Sequence, residues 1–172
     1  GDTKKPEYLA INPNGVVPCI VHNGVAIWES AAITMYLGEM FGVDKNLYPP
    51  AGPKRGEAMK WITWANVSLV HHVYGWAGNE QGWFPAEMRN AAAGKAALAE
   101  VHKHLGVLNQ ALTGREFLLG SYTLVDAHIN SLIEWLRHMK LDMQCYTHLN
   151  AWTERCNARP AAKKLAAETP AQ

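Results

Sequence analysis

Two short stretches carry the residue types best suited to hold a small polar ligand. At Val17-Pro18, a turn into the β-branched run that follows would leave the Val17 N–H and C=O unpaired and facing outward. A peptide-like ligand can pair with such groups as an added strand. X–Pro bonds adopt the cis form at small cost, and a cis bond in a tight turn usually serves a purpose. On spacing alone the plainer reading is favoured, an ordinary trans proline between loop and strand. At Glu29-Ser30, Ser30 is expected to cap the helix that follows. The free N–H groups and partial positive charge of a helix start suit a carboxylate, and Glu29 beside them suits an ammonium. The plainer alternative is a common cap with a solvated acid next to it. Its position directly after a hairpin is what raises the first reading.

Other candidates weigh toward structure. Thr123-Leu124-Val125-Asp126 has capping-box spacing, with Thr123 as N-cap and Asp126 reaching back to its backbone N–H. Removing Asp126 is expected to cost about 1 kcal/mol as a cap, and more if the carboxylate is buried. His102 and His104 stand two apart, so on a helix they point to different faces and no metal site is expected. His72 falls on an apolar stripe and is read as a packed histidine. Cys19 lies inside a strand and is read as buried packing, since a reactive thiol needs exposure and an electropositive setting.

The chain has 172 residues and a net charge of +1, with no basic run longer than Lys4-Lys5 or Lys163-Lys164. That balance gives no electrostatic support to nucleic-acid or membrane-surface binding. A hydrophobic fraction of 48% supports a real core, yet no apolar stretch reaches the roughly 18–20 residues of a membrane span. Cys19, Cys145 and Cys156 lack metal spacing and argue against a disulfide framework, which fits a reducing, cytoplasmic compartment. Most of the seven tryptophans are expected in the core or in pocket walls.

The elements that must position these residues follow from pattern. Val16–Val21 and Val25–Trp28 read as strands about Asn23-Gly24, the favoured pair for a type I′ hairpin. A helix follows from Ser30, with Ile33, Tyr36, Leu37, Met40 and Phe41 on one face and Gly42 as its stop. Three prolines between Pro49 and Pro53 mark a linker. Beyond it everything is helical in pattern. The stripes are Ala58, Ile62, Ala65, Leu69, His72 and Trp76; then Leu98, Val101, Leu105, Leu108 and Leu112. Two more are Leu124, Ala127, Ser131, Trp135 and Met139, and Cys145, Leu149, Trp152 and Cys156, with a short tail helix to about Ala167. The expected fold class is α+β, mostly α. The expected division is a hairpin-plus-helix unit over 1–43, a linker over 44–53 and an all-helical domain over 54–172.

Three segments in this order resemble the cytosolic glutathione transferase family, its bacterial members most closely. They are Asn12-Pro13-Asn14-Gly15-Val16-Val17-Pro18 with Trp28-Glu29-Ser30-Ala31-Ala32-Ile33, Phe117-Leu118-Leu119-Gly120-Ser121-Tyr122-Thr123-Leu124-Val125-Asp126-Ala127, and Leu149-Asn150-Ala151-Trp152 through Ala158-Arg159-Pro160. The resemblance covers nearly the whole chain. It implies a partial thioredoxin-like first domain and a helical second one. It implies that the Val17–Pro18 bond is cis and that glutathione sits on Val17, Pro18, Glu29 and Ser30. It also implies that the helix after the linker faces a site for a hydrophobic co-substrate, with His71, Tyr74 and Trp76 as candidates, each more readily explained as packing. The buried box of Thr123 and Asp126 is a structural element in this family.

The activity implied is attack of the glutathione thiolate on a hydrophobic electrophile. The thiol-activating Ser, Tyr or Cys of the family lies in a βαβ unit with no counterpart in this sequence, so it is expected upstream of Gly1. Tyr8 matches the run before the Asn-Pro motif and is not that residue. The 172-residue chain is therefore expected to be impaired in catalysis. Glutathione is the implied co-substrate, with no metal, and a homodimer is the implied assembly. The rival expectation is a non-catalytic transferase-like scaffold or dimerisation module.

Overall fold

The computed structural model describes residues 1–168. After a 3-10 turn at Asp2–Lys4 comes a one-turn helix, α1 (Pro6–Leu9). The first regular pairing is an antiparallel ribbon of β1 (Cys19–His22) and β2 (Val25–Trp28). Asn23 and Gly24 join them at φ of +50° and +78°, the positive pair that a type I′ turn demands. The register pairs Cys19 with Trp28 and His22 with Val25. The ladder begins at Cys19, not at Val16 as the sequence suggests, because Pro18 has no N–H to give it.

Helix α2 (Ser30–Leu37) packs on the ribbon and runs into a π-turn at Gly38–Gly42. Its expected apolar face is only partly used. Ile33 is buried, whereas Met40 and Phe41 are about half exposed. Gly38 is required here: a Cβ would stand 2.6 Å from the ring of buried Tyr48. Tyr48 opens the proline-rich stretch, and Pro53 then starts α3 (Pro53–Trp64), a favoured first-turn position.

A second π-turn, Ala65–Leu69, joins α3 to α4 (Val70–Glu80). The chain continues through α5 (Ala91–Ala111), α6 (Leu124–His138), α7 (Thr147–Asn157) and α8 (Pro160–Glu168). The fold is thus α+β and mostly α, a two-stranded ribbon with α2 followed by a helical bundle. The core sits in the bundle, built from Ile62, Leu69, Leu105, Leu108, Ile129, Ile133, Leu149 and Trp152, all fully buried. Among the described residues no helix is long and apolar enough to cross a membrane.

Two stripes differ from the sequence expectation. After Leu69 the buried positions are Val73, Trp76 and Ala77, and His72 lies at the margin, because the π-turn adds a residue and shifts the phase. On α6 the core face is Val125, Ile129, Ile133 and Leu136. The expected stripe of Leu124, Ala127 and Ser131 faces a cleft instead. Cys145 precedes α7 and is exposed, and Cys19 is half-buried, not fully packed away.

Candidate functional site

A cleft of about 370 Å³ opens between α2 and α6, with Pro18, Ser30, Thr34, Leu37, Ala127 and His128 on its walls. The Val17–Pro18 bond is cis. Val17 is 71% exposed, and neither its N–H nor its C=O meets a partner among the described residues. The corner is held from behind. Buried Asn12 donates from Nδ2 to the Val16 carbonyl at 2.7 Å, and the Tyr8 hydroxyl donates to the same oxygen at 2.7 Å. Asn12 Oδ1 accepts from the Asn14 N–H at 3.1 Å, a local Asx bond of the kind that makes Asn a turn residue. Pro18 and Ser30 therefore border one cleft, with the free edge of Val17 beside it.

Ser30 does not cap the helix. Glu29 occupies the cap position at φ +71° and ψ 118°, a combination sparsely allowed for a residue with a Cβ. Such local strain concentrates where ligands are held. Ser30 is the first helical residue, and the first turn closes from the Ile33 N–H to the Glu29 carbonyl. The N–H groups of Ser30, Ala31 and Ala32 precede that closure and have no intrahelical acceptor.

The Ser30 hydroxyl is fixed from the helical bundle. Asn66 Nδ2 donates to Ser30 Oγ at 2.8 Å. Asn66 Oδ1 lies 2.7 Å from His128 Nε2, and His128 Nδ1 lies 2.9 Å from Thr34 Oγ1. An amide oxygen only accepts, so His128 carries its proton on Nε2 and takes the Thr34 hydroxyl proton at Nδ1. Burial pushes the His128 imidazolium down to about pKa 4, so the ring is neutral near pH 7. The Ser30 oxygen is occupied as an acceptor and its O–H remains a donor toward the cleft. Ser131 also bounds the cleft, but its hydroxyl already donates to the His128 carbonyl at 2.7 Å.

The other sequence candidates separate. Trp76 is a core residue, 3% exposed, with its indole N–H donating to Glu80 at 3.1 Å, so it is removed from the co-substrate set. His71 is exposed and packs edge-on against His72. Tyr74 is exposed and joins Trp83 and Trp135 in an aromatic trio with ring centroids 5.1–5.7 Å apart. Trp135 stands one helical turn beyond Ser131, so the cleft face of α6 runs on toward these rings.

The Thr123–Asp126 box is complete and buried. Asp126 accepts from the N–H groups of Thr123 and Leu118, from the Thr123 hydroxyl, and from Trp152 Nε1, at 2.9–3.2 Å. Sequence reasoning missed Asn66, which lies off every stripe. It also missed His128, whose neighbour Ala127 was placed on the expected face.

Residues 69–160 match the family described as "Glutathione S-transferase, C-terminal domain", and residues 1–40 match "Glutathione S-transferase, N-terminal domain". The chain is similar to glutathione S-transferase D7 of Drosophila melanogaster, with 31% identity over 155 residues, 88% of this chain. It spans 66% of that curated relative's length. Among solved structures it resembles the glutathione transferase URE2P6 of Phanerochaete chrysosporium in complex with oxidized glutathione. The TM-score is 0.87 and the identity 25%, covering 98% of this chain and 79% of the other. It also resembles the theta class glutathione S-transferase of Xanthomonas axonopodis pv. citri with glutathione bound. There the TM-score is 0.78 and the identity 29%, covering 95% of this chain and 78% of the other.

Proposed function

Because this chain belongs to the glutathione S-transferase family, we propose that its cleft binds glutathione along the Val17–Pro18 edge and at the start of α2. The single observation that carries this reading is the Ser30 hydroxyl. It is held as an acceptor by Asn66, and its proton is left to donate. The γ-glutamyl carboxylate fits that proton and the first N–H groups of α2. The cysteinyl unit pairs with the free N–H and C=O of Val17, and exposed Glu29 meets the γ-glutamyl ammonium. In this reading residues 1–43 supply the glutathione side and the helices after the 44–53 linker supply the co-substrate side.

The reaction proposed is conjugation of the glutathione thiolate to a hydrophobic electrophile, a detoxification chemistry. Tyr74, with Trp83 and Trp135, offers the electrophile an exposed aromatic surface, and His71 lies nearby on the same helix. The hydroxyls of Thr34 and Ser131 are already donating, and Ser30 is assigned to the carboxylate. None of these is left to stabilise a thiolate. A thiol at its ordinary pKa of about 8.5 is only a few per cent ionised at pH 7. This chain by itself is therefore proposed to bind glutathione while conjugating slowly. The proposed assembly is a homodimer and the proposed compartment the cytoplasm, in keeping with three free cysteines.

The test is retention on a glutathione resin with elution by free glutathione, followed by calorimetric titration of Ser30→Ala. One charge-assisted hydrogen bond is worth about 1.5–3 kcal/mol, so the variant should bind about 10–100-fold more weakly. Equal affinity in the two proteins would remove Ser30 from the site and the reading with it. Conjugation of a chlorodinitrobenzene-type substrate at an ordinary family rate by this chain alone would overturn the slow-turnover part.

A further inference from the structure

Away from the cleft, α4 and α5 bring together three side chains with the chemistry of a metal site. Glu100 and His104 stand four residues apart on α5 and so share a face. His72 reaches them from α4. One ligating atom from each of the three lies within 4.8 Å of the other two. Three donors around one ion at about 2.1 Å stand at most about 4.2 Å apart. The three atoms thus already stand close to coordinating separation.

The backbone is held for this. Gly75 on α4 faces Ala97 on α5, and a Cβ on Gly75 would come within 3.2 Å of the Ala97 Cβ. Each of these small residues lies about one turn from a cluster residue, Gly75 from His72 and Ala97 from Glu100. The close helix approach thus sets the distance across the cluster.

The ring chemistry also fits. His104 Nδ1 lies 2.7 Å from the Glu100 carbonyl oxygen, so it carries the proton and donates. That leaves Nε2 with a free lone pair, and such a carbonyl partner is the usual outer support of a metal-bound histidine. His72 has its imidazolium disfavoured by burial, then by His104 and His71, with Lys103 adding to this and Glu100 opposing it. A neutral ring is the ligating form. Glu100 is held in its carboxylate form first by its hydrogen bond from Lys103, with burial opposing and the Lys103 charge adding to the effect. The Lys103–Glu100 pair, 3.0 Å long and exposed, is of a kind worth at most about 1 kcal/mol and yields readily to a divalent ion. The ring of Trp64 lies 5.8 Å from that of His104 and closes one side.

We propose that His72, Glu100 and His104 bind one divalent transition-metal ion of the Zn2+, Co2+ or Cu2+ class, with water completing the coordination. Two imidazoles and a carboxylate select such ions over Mg2+ or Ca2+, which take all-oxygen sites. This site is independent of the glutathione reading and shares no residue with it.

The experiment uses the full chain without a histidine tag, stripped with chelator and titrated with Zn2+ by calorimetry and with Co2+ by absorption. One ion per chain is expected, with d–d bands indicating nitrogen ligation and quenching of tryptophan emission by Cu2+. His72→Ala and His104→Ala should each weaken Zn2+ binding at least tenfold, since even changes outside the ligand shell have that effect. His102→Ala should not. Glu100→Gln, which keeps the side chain's shape, is the second variant should either alanine change unfold the chain, and it too should weaken binding. Stoichiometric binding unchanged in all three cluster variants overturns the assignment, as does the absence of binding at millimolar Zn2+.

Discussion

His128 allows a sharp test of the polar chain that reaches Ser30. Its imidazole is 8% exposed, and its pKa lies at about 4 against an ordinary 6.5. A depressed folded pKa means that the unfolded chain takes up the proton first as pH falls. Native stability is therefore full above pH 6.5 and is lost progressively between pH 6.5 and about 4. Each unit of difference is worth 1.36 kcal/mol, so this histidine alone should remove about 3 kcal/mol across the window. The comparison is with His128→Gln, whose amide can donate to Asn66 and accept from Thr34 but does not titrate. Carboxylates and the other histidines, including His72, titrate alike in both proteins and cancel in the difference. Urea unfolding at pH 7.5, 6.0 and 4.5 should show the wild-type chain losing about 2–3 kcal/mol more stability than His128→Gln between the extremes. Parallel pH profiles would show that His128 accepts its proton in the folded state. The tautomer argument for Ser30 would then fail with it.

The remaining predictions concern the scaffold. Asp126→Ala leaves the Leu118 and Thr123 amides and the Trp152 indole N–H without their buried acceptor. Urea denaturation should show a loss of about 4 kcal/mol or more, well beyond the roughly 1 kcal/mol of an exposed cap. A loss near the smaller value would mean that water reaches the site. Burial, with Asp126 adding to it, pushes the Cys156 thiol up to about 12, so mass spectrometry after iodoacetamide at pH 8 should find Cys156 intact and exposed Cys145 alkylated. Gly38→Ala sets a methyl 2.6 Å from the Tyr48 ring and should destabilise by about 1–3 kcal/mol in the same denaturation assay. A neutral result would show that Tyr48 can shift.

What the sequence made legible was local chemistry with a fixed spacing. Asn23-Gly24 specifies its turn through two positive φ angles, and the structure has both. Thr123 and Asp126 specify a box through a three-residue offset, and it is formed with both arms. Pro18 and Ser30 could be named as candidates because their neighbours resembled a known pattern, and both border one cleft. What was not legible depended on partners distant along the chain. Asn66 contacts a residue 36 positions away and His128 one 94 positions away, and no periodicity reports such pairs. The Ser30 cap was misassigned because local propensity favours Ser at that position. Here the strained Glu29 takes it, and the hydroxyl is drawn to Asn66 across the fold.

The misplacement of His72 on the α3–α4 stretch has one physical origin. A regular α-helix turns 100° per residue and a π-turn turns less, so the face presented beyond a π-turn is shifted in phase. The π-turn at Ala65–Leu69 introduces such a shift. The buried stripe runs from Leu69 through Val73, Trp76 and Ala77, and His72 is left at its margin beside Glu100 and His104. The same turn carries Asn66, whose amide bridges Ser30 and His128. A π-turn gives up regular hydrogen bonding and persists only where the surroundings determine it. Here they do so from both sides, by the Asn66 bridge toward α2 and α6 and by the close contact of Gly75 with Ala97 toward α5. One irregular turn thus aims a polar amide at the cleft and a histidine at the opposite helix pair. A strictly periodic reading of Pro53–Glu80 puts the histidine in the core and gives the amide no role.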